Sequence, residues 1–306
     1  MATVLLTGAG GLLGSKLAPL LASKGYEVVA VYREHSPPAI SGVKPVRLDI
    51  TDWVRLEDLI LKTRPSIIIH AAAYTDVDGC ERYRERAWRT NVEATRSIVR
   101  VARVVNSHII YVSTDYVFDG EKGMYRETDT PNPLNYYGLT KLVAEEIVKS
   151  SDLLYTVVRT SAIYGVGGSK KSFAEYIAER LRRGEKVRAL IDQYVSPTHN
   201  ALLAEAITEI VEMRPLGVLH VAGPRMSRYE FAIKVAKSLG LDEELIEPAT
   251  LEEFKAQWLA RRPRDSSLDT TRARNMLRTP FSDIEEAMHR LREEIETRGG
   301  AGTHAV

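Results

Sequence analysis

The sequence predicts an α/β protein: a doubly wound parallel sheet with a smaller, interleaved C-terminal lobe. Three observations carry this expectation. Short β-branched runs alternate with longer stretches of helical periodicity over residues 3–158, the pattern of βαβ units. The run Ser66-Ile67-Ile68-Ile69-His70 has no polar face and reads as a strand buried on both sides. A glycine-rich turn, Thr7-Gly8-Ala9-Gly10-Gly11-Leu12-Leu13-Gly14, lies where the first strand passes into the first helix.

The elements follow in order. Thr3-Val4-Leu5-Leu6 is a strand, and Leu12 to Ser23 has apolar residues at helical spacing, ending near Gly25. Glu27 to Tyr32 and Pro45 to Leu48 are strand-like. Asp52 is placed to cap a helix that reaches about Lys62. Beyond the 66–70 strand come a long helix over about 84–106, a strand at 108–112, a helix at 136–150 and a strand at 155–158. Right-handed crossovers turn such a series into a doubly wound sheet. After about Thr160 the rhythm loosens. Helices are expected at 169–183, 199–213, 227–239, 251–260 and 283–297, with a strand at 187–191 and another at 218–222 placed to rejoin the sheet. Gly299-Gly300-Ala301-Gly302 opens a tail, 299–306, expected to be disordered.

The composition limits what the chain can do. With 306 residues it can bury a core without staples. Lys plus Arg is 42 and Asp plus Glu is 41, a net charge of +1, so the chain is not built around nucleic-acid phosphates. The single cysteine, Cys80, allows neither an intrachain disulfide nor a cysteine-based zinc site, and no metal is expected. No apolar run approaches the ~20 residues of a membrane helix, and the first residues form no basic leader, so a cytoplasmic protein is expected.

The glycine turn points to a dinucleotide. Gly8 can make the tight turn, Gly11 lets the backbone approach a pyrophosphate, and Gly14 lets helix and strand pack closely. The following helix offers free N–H groups and its positive dipole end to phosphates. Gly10, Leu12 and Leu13 complete this candidate cradle. The second strand ends in Val31-Tyr32-Arg33, and Arg33 suits a 2′-phosphate through a charge-assisted fork. Glu34 beside it weakens that choice, and a solvated surface arginine is the plain alternative. Asp49 and Ile50 could place a carboxylate near an adenine, or Asp49 could simply cap a turn. Ala71-Ala72-Ala73 supplies small residues where a dinucleotide passes closely, or ordinary core alanines.

Tyr137 and Lys141 stand four apart at the start of a helix, hence on one face, with Cβ atoms about 5–6 Å apart. An ammonium there would favour the tyrosinate by roughly 3 kcal/mol at an effective dielectric of about 20, against an ordinary phenol pKa of about 10. That pair can tune a phenol for proton transfer to a carbonyl oxygen. Ser113-Thr114-Asp115 ends the fifth strand, at the sheet edge where ligands of such folds bind, and the Thr114 hydroxyl could orient the substrate oxygen. A turn-capping Ser/Thr pair is the plain reading of the same residues.

The spacing Gly8-x-x-Gly11-x-x-Gly14 with Tyr137-x-x-x-Lys141 resembles the extended short-chain dehydrogenases/reductases, on a Rossmann-type sheet. More narrowly, the chain resembles the dTDP-4-dehydrorhamnose reductase family. The matching stretches are Ala71 to Asp78, Ser113 to Gly120 (STDYVFDG), Asn132 to Lys141, Val158 to Gly165, Asp192 to Thr198 and Arg262 to Asp269. The resemblance implies that Thr114, Tyr137 and Lys141 form the catalytic set. It implies NADPH as cofactor, with NADH also allowed, and reduction of the C4 ketone of a nucleotide-activated 6-deoxyhexose. Thr75, Val77, Asp115, Gln193, Ser196 and Arg262 are then expected at the nucleotide-sugar, with the basic run Arg261 to Arg264 facing its diphosphate. Residues 1–160 and 187–222 would form the dinucleotide-binding domain, and 161–186 and 223–298 the substrate lobe. A homodimer is left open, and neither nucleic acid nor membrane is expected as a partner.

Two departures bear on the sugar: the family often has Trp where this chain has Ala162, and Gly where it has Val195. Three rival functions compete with this reading. A dehydratase of this type carries Glu where Tyr116 stands, so elimination would lack its base. A sugar-nucleotide epimerase stays open. So does an NADP-binding regulatory subunit resembling the methionine adenosyltransferase β subunit.

Overall fold

The computed structural model describes residues 2–300. Six strands arrive in the expected sequence: β1 (Thr3–Thr7), β2 (Glu27–Tyr32), β3 (Val43–Arg47), β4 (Ile67–His70), β5 (His108–Thr114) and β6 (Tyr155–Thr160). Beyond them lie β7 (Ile163–Tyr164), β8 (Val187–Leu190), β9 (Tyr194–Val195), β10 (Thr198–His199), β11 (Gly217–His220), β12 (Met226–Ser227) and β13 (Ile246–Ala249). The central sheet is all parallel with the order β11-β6-β5-β4-β1-β2-β3, so the chain reverses direction across it beside β1. The expected return of the 218–222 segment to the sheet is met by β11, which pairs with β6.

The two faces of the sheet are covered by different helices. Leu5 and Ile68 enter one core, packed by α2 (Trp53–Thr63), by α5 (Ala94–Val105) and by Ala144 and Val148 of α6 (Tyr136–Lys149). Val4, Leu6, Ile67 and Ile69 enter the other, packed by α1 (Gly14–Ser23) and α8 (Asn200–Met213) and continuous with the C-terminal lobe. Alternation of apolar neighbours to opposite faces is the period of a strand, and with both faces apolar the run has no polar side.

Caps set several helix starts. Asp52 accepts from the Arg55 amide, as expected. Ser172 with Glu175, and Ser227 with Glu230, form capping boxes. They start α7 at Phe173 rather than 169 (Phe173–Arg182) and α9 at Arg228 (Arg228–Ser238).

Three expectations are revised. The helix over 84–106 is not one α-helix: α4 (Arg84–Trp88) passes through a π-helical turn, Arg89–Glu93, into α5. A short helix, α3 (Val77–Arg82), precedes it, capped by Asp76. The helix expected over 251–260 stops early as α10 (Leu251–Lys255), because the Leu259 and Ala260 amides donate to Asp78 instead of to helix carbonyls. Strand β8 stays out of the central sheet and pairs in parallel with β13, where Val187, Ala189 and Ile246 bury together. After α11 (Thr271–Met276), the last helix, α12 (Ile284–Gly300), takes up the first two glycines of the expected tail, and residues 301–306 lie outside the described residues.

Candidate active site

A groove of about 590 Å³ runs along the C-terminal edge of the sheet, from the glycine turn to the end of β5. Its position follows from the topology: strand order reverses beside β1, which leaves a crevice outside the strand ends.

At one end lies the glycine turn. Gly8 has φ +76°, and a Cβ on it would stand 2.8 Å from the Ala72 nitrogen. At Gly10 a Cβ would stand 2.0 Å from the His35 carbonyl oxygen, a contact no side chain survives. Gly14 packs its Cα against the turn itself, toward the Gly8 carbonyl, rather than against the strand body. Helical bonding begins as the Ser15 amide donates to Gly11 and Leu17 to Leu13. The missing side chains thus let the turn pack tightly against the Ala72 and His35 backbone while it lines the groove, and a tight turn of this kind at a helix start fits a dinucleotide. Gly8, Gly10, Gly11, Leu12, Leu13, Arg33, Asp49, Ile50, Ala71, Ala72 and Ala73 all line the groove. Two of them are already engaged. Arg33 pairs with Glu34 at 2.7 Å, both about half exposed. Asp49 accepts from the amide and hydroxyl of Thr51 with one oxygen, the capping role considered for it.

At the other end Thr114, Tyr137 and Lys141 meet. Thr114 is the last residue of β5, and its hydroxyl donates to Asp115 at 3.0 Å. Tyr137 is half-buried, one residue into α6, whose start is fixed by Asn135 accepting from Gly138. Its ring meets that of Tyr116 edge-on, 5.9 Å between centroids. Lys141 is fully buried, donates to the Val112 carbonyl at 2.7 Å and stands 4.2 Å over the Tyr111 ring.

The electrostatics differ from the expected pair effect. Burial pushes the Tyr137 phenol well above its usual range, with the Thr114 side chain pulling the other way. Burial brings Lys141 down to about 7, partly offset by Glu145. The ammonium is aimed at a carbonyl and a ring face and not at the phenol, so desolvation outweighs the attraction that spacing alone suggested. Asp115 is buried beneath the set, raised by burial and held by the hydroxyls of Ser266 (2.5 Å), Ser161 (2.8 Å) and Thr114.

Of the residues expected at the sugar, Thr75, Val77 and Asp115 line the groove. Gln193, Ser196 and Arg262 do not. Gln193 is buried, donating to the Pro263 carbonyl and accepting from Arg228. The Ser196 hydroxyl accepts from the Leu268 amide. Arg262 is spent on Asp78 (2.8 Å), with its guanidinium over Trp258. Two cations face the groove from the C-terminal lobe, Lys170 and Arg228, and Arg228, the first residue of α9 after the Ser227 cap, is the one beside the Thr114 end. It adjoins Tyr116 and Asp115 and stacks 5.6 Å over Phe173. Its sequence signal was the cap alone. Ala162 and Val195 line the groove too and, with Phe173, Phe231 and Arg228, border a side cavity of about 50 Å³.

The fold and groove define a short-chain reductase architecture, with a glycine turn at one end of the groove and Thr114, Tyr137 and Lys141 at the other. The chain belongs to the RmlD substrate binding domain family, whose model matches residues 1–297. The dTDP-4-dehydrorhamnose reductase of Aggregatibacter actinomycetemcomitans is 33% identical over 310 residues, covering 97% of this chain and all of that one. Methionine adenosyltransferase 2 subunit beta of Bos taurus is 31% identical, covering 91% and 84%. Among solved structures, a hypothetical dTDP-4-dehydrorhamnose reductase from Sulfolobus tokodaii is 45% identical with a TM-score of 0.82, over 92% and 97% of the two chains. The Bacillus anthracis dTDP-4-dehydrorhamnose reductase in complex with NADP is 31% identical with a TM-score of 0.84, over 95% and 99%. Among the described residues no helix is long and apolar enough to cross a membrane, and no cluster of three metal-ligating side chains occurs.

Proposed function

We propose that this chain reduces the C4 ketone of a nucleotide-activated 4-keto-6-deoxyhexose with NADPH, NADH serving less well. One observation carries the reading: a glycine cradle and a Thr-Tyr-Lys set occupy the two ends of one groove. The relatives named as reductases of this kind support it along the whole chain.

The dinucleotide, when bound, supplies the hydride to the carbonyl carbon. Tyr137 gives its proton to the oxygen that becomes the alkoxide, and burial keeps the phenol protonated at neutral pH, the form an acid needs. Thr114 orients the carbonyl. Lys141 holds the ribose next to the nicotinamide and brings positive charge to the site. Arg228 takes the anionic side of the substrate. Residues 1–160 serve the dinucleotide. The substrate lobe comprises 161–186 and 223–298, to which β8 is added from the 187–222 segment because it pairs with β13. We place the enzyme in the cytoplasm and leave a homodimer to light scattering.

The test is a product-identified assay with dTDP-4-keto-6-deoxyhexoses: oxidation of NADPH with appearance of the 6-deoxyhexose. A chain that binds NADP, turns over none of these ketones and co-purifies with a second enzyme would instead be a regulatory subunit, the reading favoured by the Bos taurus relative. An epimerised ketone recovered without net oxidation of NADPH would mark an epimerase.

Cofactor choice gives a separate prediction. A 2′-phosphate must compete with Glu34 for an exposed Arg33, so the fork is worth less than a buried one. Arg33→Ala is expected to cut the NADPH over NADH preference in kcat/KM by only about threefold to tenfold. Glu34→Gln is expected to raise that preference. Steady-state kinetics with both cofactors checks this, and equal losses for NADPH and NADH would leave Arg33 a surface charge.

A further inference from the structure

A buried charge cluster directly beneath the catalytic set has no part in the chemistry described so far. Glu145 and Arg159 are both fully buried. The Arg159 guanidinium grips the carboxylate with two nitrogens, Nε at 3.0 Å and a terminal nitrogen at 2.7 Å. Ser113 donates to the same carboxylate at 2.5 Å, and Lys149 reaches it from the rim at 3.4 Å. A buried ion pair adds little net stability over apolar residues of the same volume, so its place asks for another use.

The place is specific. Glu145 stands one helical turn after Lys141 on α6, on the same face. Ser113 is the residue between Val112, whose carbonyl holds the Lys141 ammonium, and Thr114. One carboxylate thus grips the strand end that carries Thr114 and lies beside the ammonium that strand holds. We propose that Glu145 is a positioning residue for the reaction, fixing the end of β5 through Ser113 and setting a buried negative charge one helical turn from Lys141.

The charges around Lys141 support this sign. His70 on β4 and Tyr111 on β5 face it; His70, buried between Thr7 and Thr95, is held down to about 3 by burial and by Lys141, so it is neutral. Burial keeps Tyr111 protonated, and Tyr137 on α6 is likewise neutral. His220 on β11 contacts Arg159 and is brought to about 4, hence neutral as well. The remaining charges are Arg159, Lys149 and Lys141 itself against Glu145. Without the carboxylate, Lys141 shares the dry interior with the Arg159 guanidinium, Lys149 adds a cation from the rim, and of the buried two Lys141 is the one that loses its proton more easily.

The proposal rests on the reductase reading only for its kinetic arm. Glu145→Gln keeps the shape and removes the charge. The midpoint for Lys141, followed by NMR in protein labelled with carbon-13 at lysine Cε and without cofactor, is expected to fall from about 7 by roughly one to two pH units. Activity requiring the protonated lysine should then decline at correspondingly lower pH. Ser113→Ala keeps the carboxylate and loosens the strand end: kcat should drop about threefold to tenfold, with the midpoint in place. Should Glu145→Gln fail to fold, Lys149→Met at the half-buried rim removes a competing cation and should move the midpoint upward. A Lys141 midpoint unmoved in folded Glu145→Gln, or in Lys149→Met where that variant replaces it, overturns the proposal. A wild-type chain that reduces no sugar ketone overturns the reductase reading and leaves the NMR result standing.

Discussion

Tyr137→Phe is expected to lower kcat for ketone reduction by at least ~10²-fold, with NADPH affinity within about twofold of the wild type, as for loss of a general acid. The ring can stay in place, since its edge-on contact with Tyr116 uses no hydroxyl. What disappears is the phenol that meets both Thr114 and the groove from the first turn of α6. The pH profile of the wild type adds a second check. Burial raises the phenol well above its usual range, so in the reduction direction the limb lost as pH rises belongs to Lys141, near 7, and not to Tyr137. Near wild-type turnover in the Phe variant, measured by NADPH absorbance, would remove Tyr137 from the chemistry. Tyr137→Phe with normal kcat but weak cofactor binding would make it a cofactor contact only.

Parts of this site were legible because the sequence writes them locally. The glycine turn, the sheet-ending Ser113-Thr114 and the Tyr137–Lys141 spacing each lie within one element or one junction, and strand and helix periods fix where their side chains point. The return of the 218–222 run to the sheet could be anticipated because a short apolar run with valines followed a helix, although its partner β6 could not. What could not be read was which long-range partner a side chain finds. Spacing places Lys141 on the Tyr137 face, but its ammonium ends on the Val112 carbonyl and the Tyr111 ring, both on a different element. Arg262 sits in a basic run that looks available in sequence, and its acid, Asp78, lies 184 residues away. The same carboxylate takes the Leu259 and Ala260 amides and so ends the helix expected there. The π-helical turn at Arg89–Glu93 has the same apolar pattern as an α-helix, and nothing in its residues separates the two.

The exchange of Arg262 for Arg228 carries the second large effect. If Arg228 meets the anionic side of the sugar nucleotide, Arg228→Ala removes a charge-assisted hydrogen bond, worth about 1.5–3 kcal/mol, and should raise the KM for that substrate by roughly tenfold to a hundredfold. The KM for NADPH should stay where it is, because Arg228 enters the groove beside Tyr116 and Asp115, away from the glycine turn. Arg228→Lys keeps the charge but loses the planar fork over Phe173 and should fall between the two. Arg262→Ala works differently. Its guanidinium is 13% exposed and its partner Asp78 30%, so losing the pair removes one of the ties between the 257–264 segment and α3, while the Leu259 and Ala260 amides still hold Asp78, and costs about 1 kcal/mol of stability after allowance for solvent. Thermal denaturation should show a drop of a few degrees, with the sugar-nucleotide KM within about twofold of the wild type. Steady-state kinetics with each substrate varied in turn, alongside melting curves for both variants, separates the roles. A raised sugar-nucleotide KM in Arg262→Ala with none in Arg228→Ala would return diphosphate recognition to the basic run and make Arg228 a packing residue against Phe173.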